Sequence, residues 1–299
     1  MKTKTTVLFS AVFFLLAAVT WAQTNDFKYD LNAAGDGVVI KKYVGSVPKV
    51  VIPGTIEGYP VTEIGAEAFK LLDITEVVIP NSVTAIGNDA FAWCTVLTRV
   101  TLPGKLLTLG DKAFEHCEKL GAVNLPNTLT SIGEGAFSGC ALAAVTIPAS
   151  VTSIGSEAFK ECGKLAALTF AAGSKLETIG AKAFQGTVLS AVTIPASVTR
   201  IDVAAFNTGT LKTVTFAQGS LCTTIEGGAF AYTALAEITI PESVTEIGSI
   251  AFKGCEFLTK VTMPAHPITY KYNEVFEECP RLTLASRKAI TDTGYTGKF

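Results

Sequence analysis

The sequence predicts a repeat solenoid of about ten coils, each 22–25 residues long, and three observations carry that prediction. One phrase, clearest at residues 145–168 (VTIPASVTSIGSEAFKECGKLAAL), recurs with edits along most of the chain. The Phe of its Ala-Phe pair returns as Phe69, Phe91, Phe114, Phe137, Phe159, Phe184, Phe206, Phe230, Phe252 and Phe276. A fixed period in the twenties marks a chain in which each repeat is one coil and the coils bury their apolar faces on one another. The composition agrees: 48% of residues are apolar and only 17% charged, as expected when every coil sends a row of side chains inward. The net charge of −2 favours neither nucleic acid nor an anionic membrane surface.

Taken in order, residues 1–22 read as a cleaved secretory signal peptide. Lys2 and Lys4 give a basic start, residues 7–19 an apolar run, and Thr20-Trp21-Ala22 a small-x-small cleavage site. A retained membrane anchor would need about 20 apolar residues. No second long apolar stretch follows, so no membrane span is expected in the mature chain. Residues 23–60 carry a weaker version of the pattern. Their alternation around Gly35-Asp36-Gly37 predicts a β-hairpin, in a segment that caps the apolar end of the array.

The array proper spans residues 61–283, and each repeat has three parts. The first is a strand, L-x-x-V-x-I, ended by Pro, which has no N–H for a ladder. The second is a short extended piece, V-T-x-I-G, whose Val and Ile share the inward face. The third is x-x-A-F-x-x-C, whose spacing predicts a tight helical turn that packs Phe inward. The Gly after Ile marks either positive φ or close backbone approach; Asp202 and Glu226 replace it in two coils. Two coils are enlarged: Phe170 and Phe216 stand where others have Ile-Pro, and two residues are added after them. Such insertions widen a turn and build local surface features. Residues 284–299 read as a C-terminal cap with a helical stretch, Ser286 as its cap and Gly294 as its stop.

The chain has seven cysteines. Cys94, Cys117, Cys140, Cys162, Cys255 and Cys279 each lie three residues after a marker Phe, and Cys222 takes a position filled elsewhere by Val. All sit where the repeat calls for a small apolar residue, so they read as ladders of buried thiols. Neighbouring rungs about 4.8 Å apart leave disulfides between them geometrically open.

The consensus IPxSVTxIGxxAFxxCxxLxxVTIP resembles the BspA-like, or treponemal-type, leucine-rich repeat. The likeness runs from about residue 61 to 284. It implies a curved leucine-rich-repeat solenoid and a secreted or surface protein that binds host or partner-cell proteins, typically as an adhesin. A structural or scaffolding role in the periplasm or at the surface is the alternative, and the localisation expected is the cell surface or the medium, with the periplasm second.

No catalytic constellation is expected, and no cofactor or metal. The two histidines are His116, next to Cys117 but at an outward position, and His266, in a loop between Pro264 and Pro267. Cysteines recurring once per coil form a row, which cannot converge on one zinc ion. What remains is surface. The last variable site of L-x-x-V-x-I holds Thr101, Thr146, Thr169, Thr193, Thr215, Thr239 and Thr262, with Asn124 breaking the run. From Thr146 to Thr262 this is the candidate binding strip, hydroxyl-lined, with small residues beside its middle and Arg99, Lys212, Glu237 and Lys260 toward its ends. Exposed β-branched Thr is also simply a good strand residue, so a purely structural reading stands beside it.

Overall fold

The computed structural model describes residues 22–299; of the signal peptide read over residues 1–22, all but Ala22 lies outside the described residues. Each coil is organised by what it turns inward. The ten marker Phe side chains, Phe69 to Phe276, are fully buried. They form one column with neighbouring ring centroids 4.7–5.6 Å apart and ring planes within 16° of parallel. Parallel planes at these separations are offset stacks, which aromatic rings prefer to face-to-face sandwiches. A column of Ile and Leu stands beside it, in register from Ile64 through Ile86, Leu109, Ile132 and Ile154 to Ile247.

The unbroken sheet of the solenoid is made by the V-T-x-I pieces, each only two residues long from Ala85–Ile86 onward. Thr108–Leu109 pairs in parallel with Ser131–Ile132, that with Ser153–Ile154, and so on to Thr269–Tyr270, within one 13-stranded sheet. The L-x-x-V-x-I strands form four separate ladders. Lys49–Val51, Glu76–Val78 and Arg99–Thr101 form a three-stranded one. Ala144–Ile147 pairs with Ala167–Phe170, Ala191–Ile194 with Thr213–Phe216, and Glu237–Thr239 with Lys260–Thr262. Residues 121–126, which carry Asn124, form no strand.

The expected tight helical turn is absent from the third part of the repeat. Its place is taken by a run of turns with two left-handed residues, one two positions before Phe and one two positions after. The first column holds Glu67, Asp89, Lys112, Gly135, Glu157, Lys182, Ala204, Gly228 and Ile250 with φ of 51–64°. The second includes Leu71, Trp93, His116, Glu161 and Tyr232. This alternation turns every other N–H toward the next coil. Glu67, Phe69 and Leu71 donate to the carbonyls of Asn88, Ala90 and Ala92, while Ala68 and Lys70 donate within their own coil. A helical turn would have spent all these donors locally, leaving the coils unjoined here.

The Gly after Ile has ordinary negative φ, so of the two readings close approach is the right one. A Cβ on Gly155 would stand 2.6 Å from the Glu134 nitrogen, and one on Gly133 2.5 Å from the Gly110 carbonyl carbon.

Both ends extend the columns before closing them. Phe27–Leu31 and Val38–Tyr43 form the expected antiparallel hairpin, and the second strand joins the long sheet beside Tyr59–Ile64. Tyr43 stacks on Phe69 at 5.4 Å and Phe27 covers Tyr43 at 5.3 Å. A second small hairpin, Thr55–Ile56 on Tyr59–Ile64, turns through Glu57 and Gly58, both with positive φ as a primed turn requires. At the other end Tyr295 stands edge-on to Phe276, 5.5 Å away at 86°. The helix there is Leu284–Asp292, and its N-cap is Thr283, whose hydroxyl accepts from the Ser286 N–H at 3.2 Å. Ser286, expected as the cap, is buried instead and stands in for a further strand. Its hydroxyl accepts from the Val261 N–H at 3.1 Å and donates to the Thr259 carbonyl at 3.2 Å.

Removing one ring from the middle of the Phe column leaves a cavity between two others that cannot close on it. Phe159→Ala is therefore expected to cost about 3–5 kcal/mol in urea unfolding. A loss below about 1 kcal/mol would show that the column carries no such burden.

Candidate functional site

The outward face of the first strands follows from their alternation. In Ala144–Ile147 the side chains of Val145 and Ile147 are buried, and those of Ala144 and Thr146 are exposed. The same alternation exposes Thr169, Thr193, Thr215, Thr239 and Thr262. Register places Thr146 opposite Thr169, Thr193 opposite Thr215, and Thr239 opposite Thr262. Thr169 and Thr193 are not strand partners, nor are Thr215 and Thr239. The strip is therefore three Thr pairs with two breaks between them.

Each break follows an enlarged coil, and each opens a groove. The first, about 620 Å³, lies between Ala167–Phe170 and Ala191–Ile194 and includes Thr169, Phe170, Gly173, Thr193 and Pro195 in its lining. The second, about 660 Å³, lies between Thr213–Phe216 and Glu237–Thr239 and includes Thr215, Phe216, Gly219, Thr239 and Pro241. Phe170 and Phe216 are only partly buried and pack on the core from the groove side. The inserted residues turn back at Gly173 and Gly219, whose φ of 72° and 74° suits glycine. The first groove has no charged residue in its lining; the second has Lys212, Lys260, Glu237 and Glu242. Lys260 and Glu237 approach to 3.8 Å but are both well exposed, so this pair adds little to stability. The grooves were foreshadowed in the sequence only by the exchange of Ile-Pro for Phe-Ala and the two added residues.

The chemically reactive side chains are placed for structure. His116 lies against the Trp93 ring, with centroids 4.1 Å apart, on the outer turn. The neighbouring Cys117 points inward, its thiol donating to the Phe91 carbonyl at 3.2 Å. His266 faces the Pro267 and Glu242 carbonyls with its two ring nitrogens at 2.9 and 2.8 Å, and these contacts hold its pKa above the ordinary value. All seven thiols are free and buried. Six of them hydrogen-bond the Phe carbonyl of the preceding coil, as Cys94 does to Phe69 at 3.1 Å and Cys140 to Phe114 at 3.1 Å. The position thus calls for a small side chain with a donor; Thr187 and Thr233 fill it in two coils, but their hydroxyls turn back to the carbonyls of Phe184 and Phe230 in their own coil. Burial pushes the Cys94 and Cys162 thiols up to about 12 and Cys222 to about 11. Among the described residues no group of three His, Cys, Asp or Glu side chains is arranged to hold a metal ion.

One carboxylate is nearly sealed. Glu226 occupies the place of the close-approach glycine, and its side chain, 8% exposed, meets Arg200 at 2.8 Å and Lys271 at 3.0 Å. Lys271 crosses an intervening coil to reach it and also pairs with Glu246 at 2.6 Å. Burial alone would raise the Glu226 pKa; the hydrogen bond from Lys271 and the charges of Arg200 and Lys271 outweigh it, leaving a net depression.

A family model described as the BspA type leucine-rich repeat region, in six copies, matches residues 62–176 and 177–293. Among solved structures, a leucine-rich repeat protein of Bacteroides ovatus is 28% identical over 86% of this chain and 68% of its own, with a TM-score of 0.71. The leucine-rich repeat protein of T. pallidum is 26% identical over 94% of this chain and 99% of its own, with a TM-score of 0.52. The pneumococcal vaccine antigen PcpA, 20% identical over 88% of this chain and 80% of its own, shares the fold with a TM-score of 0.53. No curated protein matches the chain.

Two measurements check that these reactive groups serve the architecture. Under native conditions near pH 8 a thiol reagent is expected to label essentially none of the seven cysteines, and after unfolding in guanidinium all of them. Rapid native labelling of Cys94 or Cys162 would contradict the buried ladder. Because the folded-state pKa of Glu226 is depressed, its stabilisation is present above the unfolded value and is lost as pH falls through the folded one. The stability difference between wild type and Glu226→Gln is therefore expected to shrink as pH falls from about 6 to about 3. A constant difference would mean that the ionised carboxylate contributes nothing.

Proposed function

The chain belongs to the BspA-type leucine-rich repeat family, and we propose that it is an exported, non-catalytic binding protein that adheres to a host or neighbouring-cell protein. The observation that carries this reading is the division between inside and outside. Among the described residues the interior is filled mainly by stacked Phe, Ile, Val, Leu and Cys, while the outer strand face presents exposed Thr and small residues on a fixed frame. Such a face meets a partner without first having to be ordered, so many individually weak contacts add with little entropic opposition. The basic start, apolar run and small-x-small site of residues 1–22 support export. Among the described residues no helix is long and apolar enough to cross a membrane.

Protease shaving of intact cells, combined with fractionation, tests this. The protein is expected to be cut while periplasmic markers survive, and the purified mature chain to capture a matrix or cell-surface protein. That capture is expected to drop about tenfold or more when Thr193→Arg and Thr239→Arg are combined, a loss of about 1.4 kcal/mol or more. Complete protection in intact cells, with the protein released only on opening the periplasm, would overturn the adhesin reading.

A further inference from the structure

We propose that two copies of this chain join end to end through the open edge of the N-terminal hairpin. Phe27–Leu31 of each copy pairs antiparallel with its counterpart, about a two-fold axis at Tyr29. The proposal goes beyond the adhesin reading and stands or falls apart from it.

The long sheet is finished differently at its two ends. At the C-terminal end Thr269–Tyr270 meets the cap, where the Ile268 N–H donates to the Thr293 carbonyl at 2.9 Å. At the N-terminal end the last strand is Phe27–Leu31, and among the described residues it pairs with Val38–Tyr43 alone. The Val44 N–H donates to the Asp26 carbonyl at 2.7 Å, and the Asn32 N–H to the Gly37 carbonyl at 2.8 Å. Main-chain groups alternate in direction along an antiparallel strand, so Lys28 and Asp30 face the hairpin partner while Tyr29 and Leu31 face outward. The irregularity of this hairpin lies in the other strand, where Lys41 is the extra residue. The outer edge therefore keeps the regular spacing that a new strand needs.

An open edge is a template for pairing, and charge selects the partner. Lys28 and Asp30 lie on one face of the strand and are both exposed. Lys28 stands opposite Lys42 within the hairpin, an unfavourable pairing of like charges. Among the described residues neither Lys28 nor Asp30 has an ion-pair partner. A second copy supplies both. With Tyr29 opposite Tyr29, Lys28 faces the second copy's Asp30, and Asp30 faces its Lys28. Both fall in non-hydrogen-bonded pairs, where opposed side chains approach most closely. Sliding the copy by two residues sets Lys28 against Lys28 or Asp30 against Asp30. Sliding it by one puts the side chains on the wrong faces. The favoured register also uses the free backbone. The two Tyr29 residues exchange both of their bonds, and each Leu31 N–H reaches a Phe27 carbonyl, about four bonds in all. The Phe27 N–H stays on the Thr24 carbonyl of its own chain. Leu31, 54% exposed, comes to lie beside the second copy's Phe27. Such a contact is the same patch on both copies, and because the far ends carry the caps it closes at two.

Sedimentation velocity of the mature chain, residues 23–299, from about 1 μM to about 1 mM tests this. The mass is expected to rise from that of one chain toward twice it, within the weak class to which so small a contact belongs. Lys28→Glu and Asp30→Lys are each expected to weaken self-association about tenfold or more. Mixed in equal amounts, the two variants are expected to associate as the wild type does, because each offers the charge that the other lacks. Leu31→Pro removes an outward N–H while sparing the bonds within the hairpin, and is expected to weaken association about tenfold with an unchanged far-UV spectrum. A wild type that stays monomeric throughout the range overturns the proposal, as does growth past two copies. So does a dimer indifferent to these substitutions, or a mixture of the two charge variants that stays monomeric.

Discussion

Everything in this molecule depends on each coil completing the hydrogen bonding of its neighbour. A two-residue strand such as Ser131–Ile132 has no stability of its own; it persists because Thr108–Leu109 and Ser153–Ile154 hold it from either side. The same rule extends through the turns, where the Phe91 N–H reaches the Ala113 carbonyl and the Phe114 N–H reaches Ala136. It also explains the residues at left-handed φ. Placing Glu157 or Lys182 there costs on the order of 1 kcal/mol each, and they stay because that backbone aims a donor at the next coil. Once the vertical bonds are fixed, like residues must stand above like, and the Phe, Ile and Cys columns follow.

Much of this was legible in the sequence, because repetition makes a column visible as a period. The marker Phe, the inward Val and Ile, the N-terminal hairpin and the buried thiols could all be placed from spacing alone. The turn was misjudged, because Ala-Phe-x-x-Cys is compatible with a local helical turn; nothing in Glu67 or Lys112 announces a positive φ. Cysteine was read as a small apolar filler, and nothing in its spacing announced that its thiol reaches across to the Phe carbonyl of the preceding coil. Ser286 was recognisable as a helix-start residue, but only the geometry shows it completing the hydrogen bonds of Val261 and Thr259.

The candidate surface was legible in part for the same reason. Alternation within the strand puts Thr146 and its equivalents outside. The division of that strip into pairs depends on how well neighbouring strands meet after an insertion, a property of two coils together. Phe170 and Phe216 marked the place without giving its shape. The surface is shaped where the coils are least alike: identical coils build the frame, and the two enlarged ones give its outer face two distinct recesses.

The central claim concerns backbone donors in the Phe turns, and residue-resolved native-state hydrogen exchange reports on them directly. If each turn is bonded to the next coil, the amides of Phe91, Phe114, Phe137 and Phe159 will be as strongly protected as those of Ile132 and Ile154 in the long sheet, and will open with them. If those Phe amides exchange at the rate of exposed loops while the sheet stays closed, the coils are not joined through their turns and this description of the solenoid is wrong.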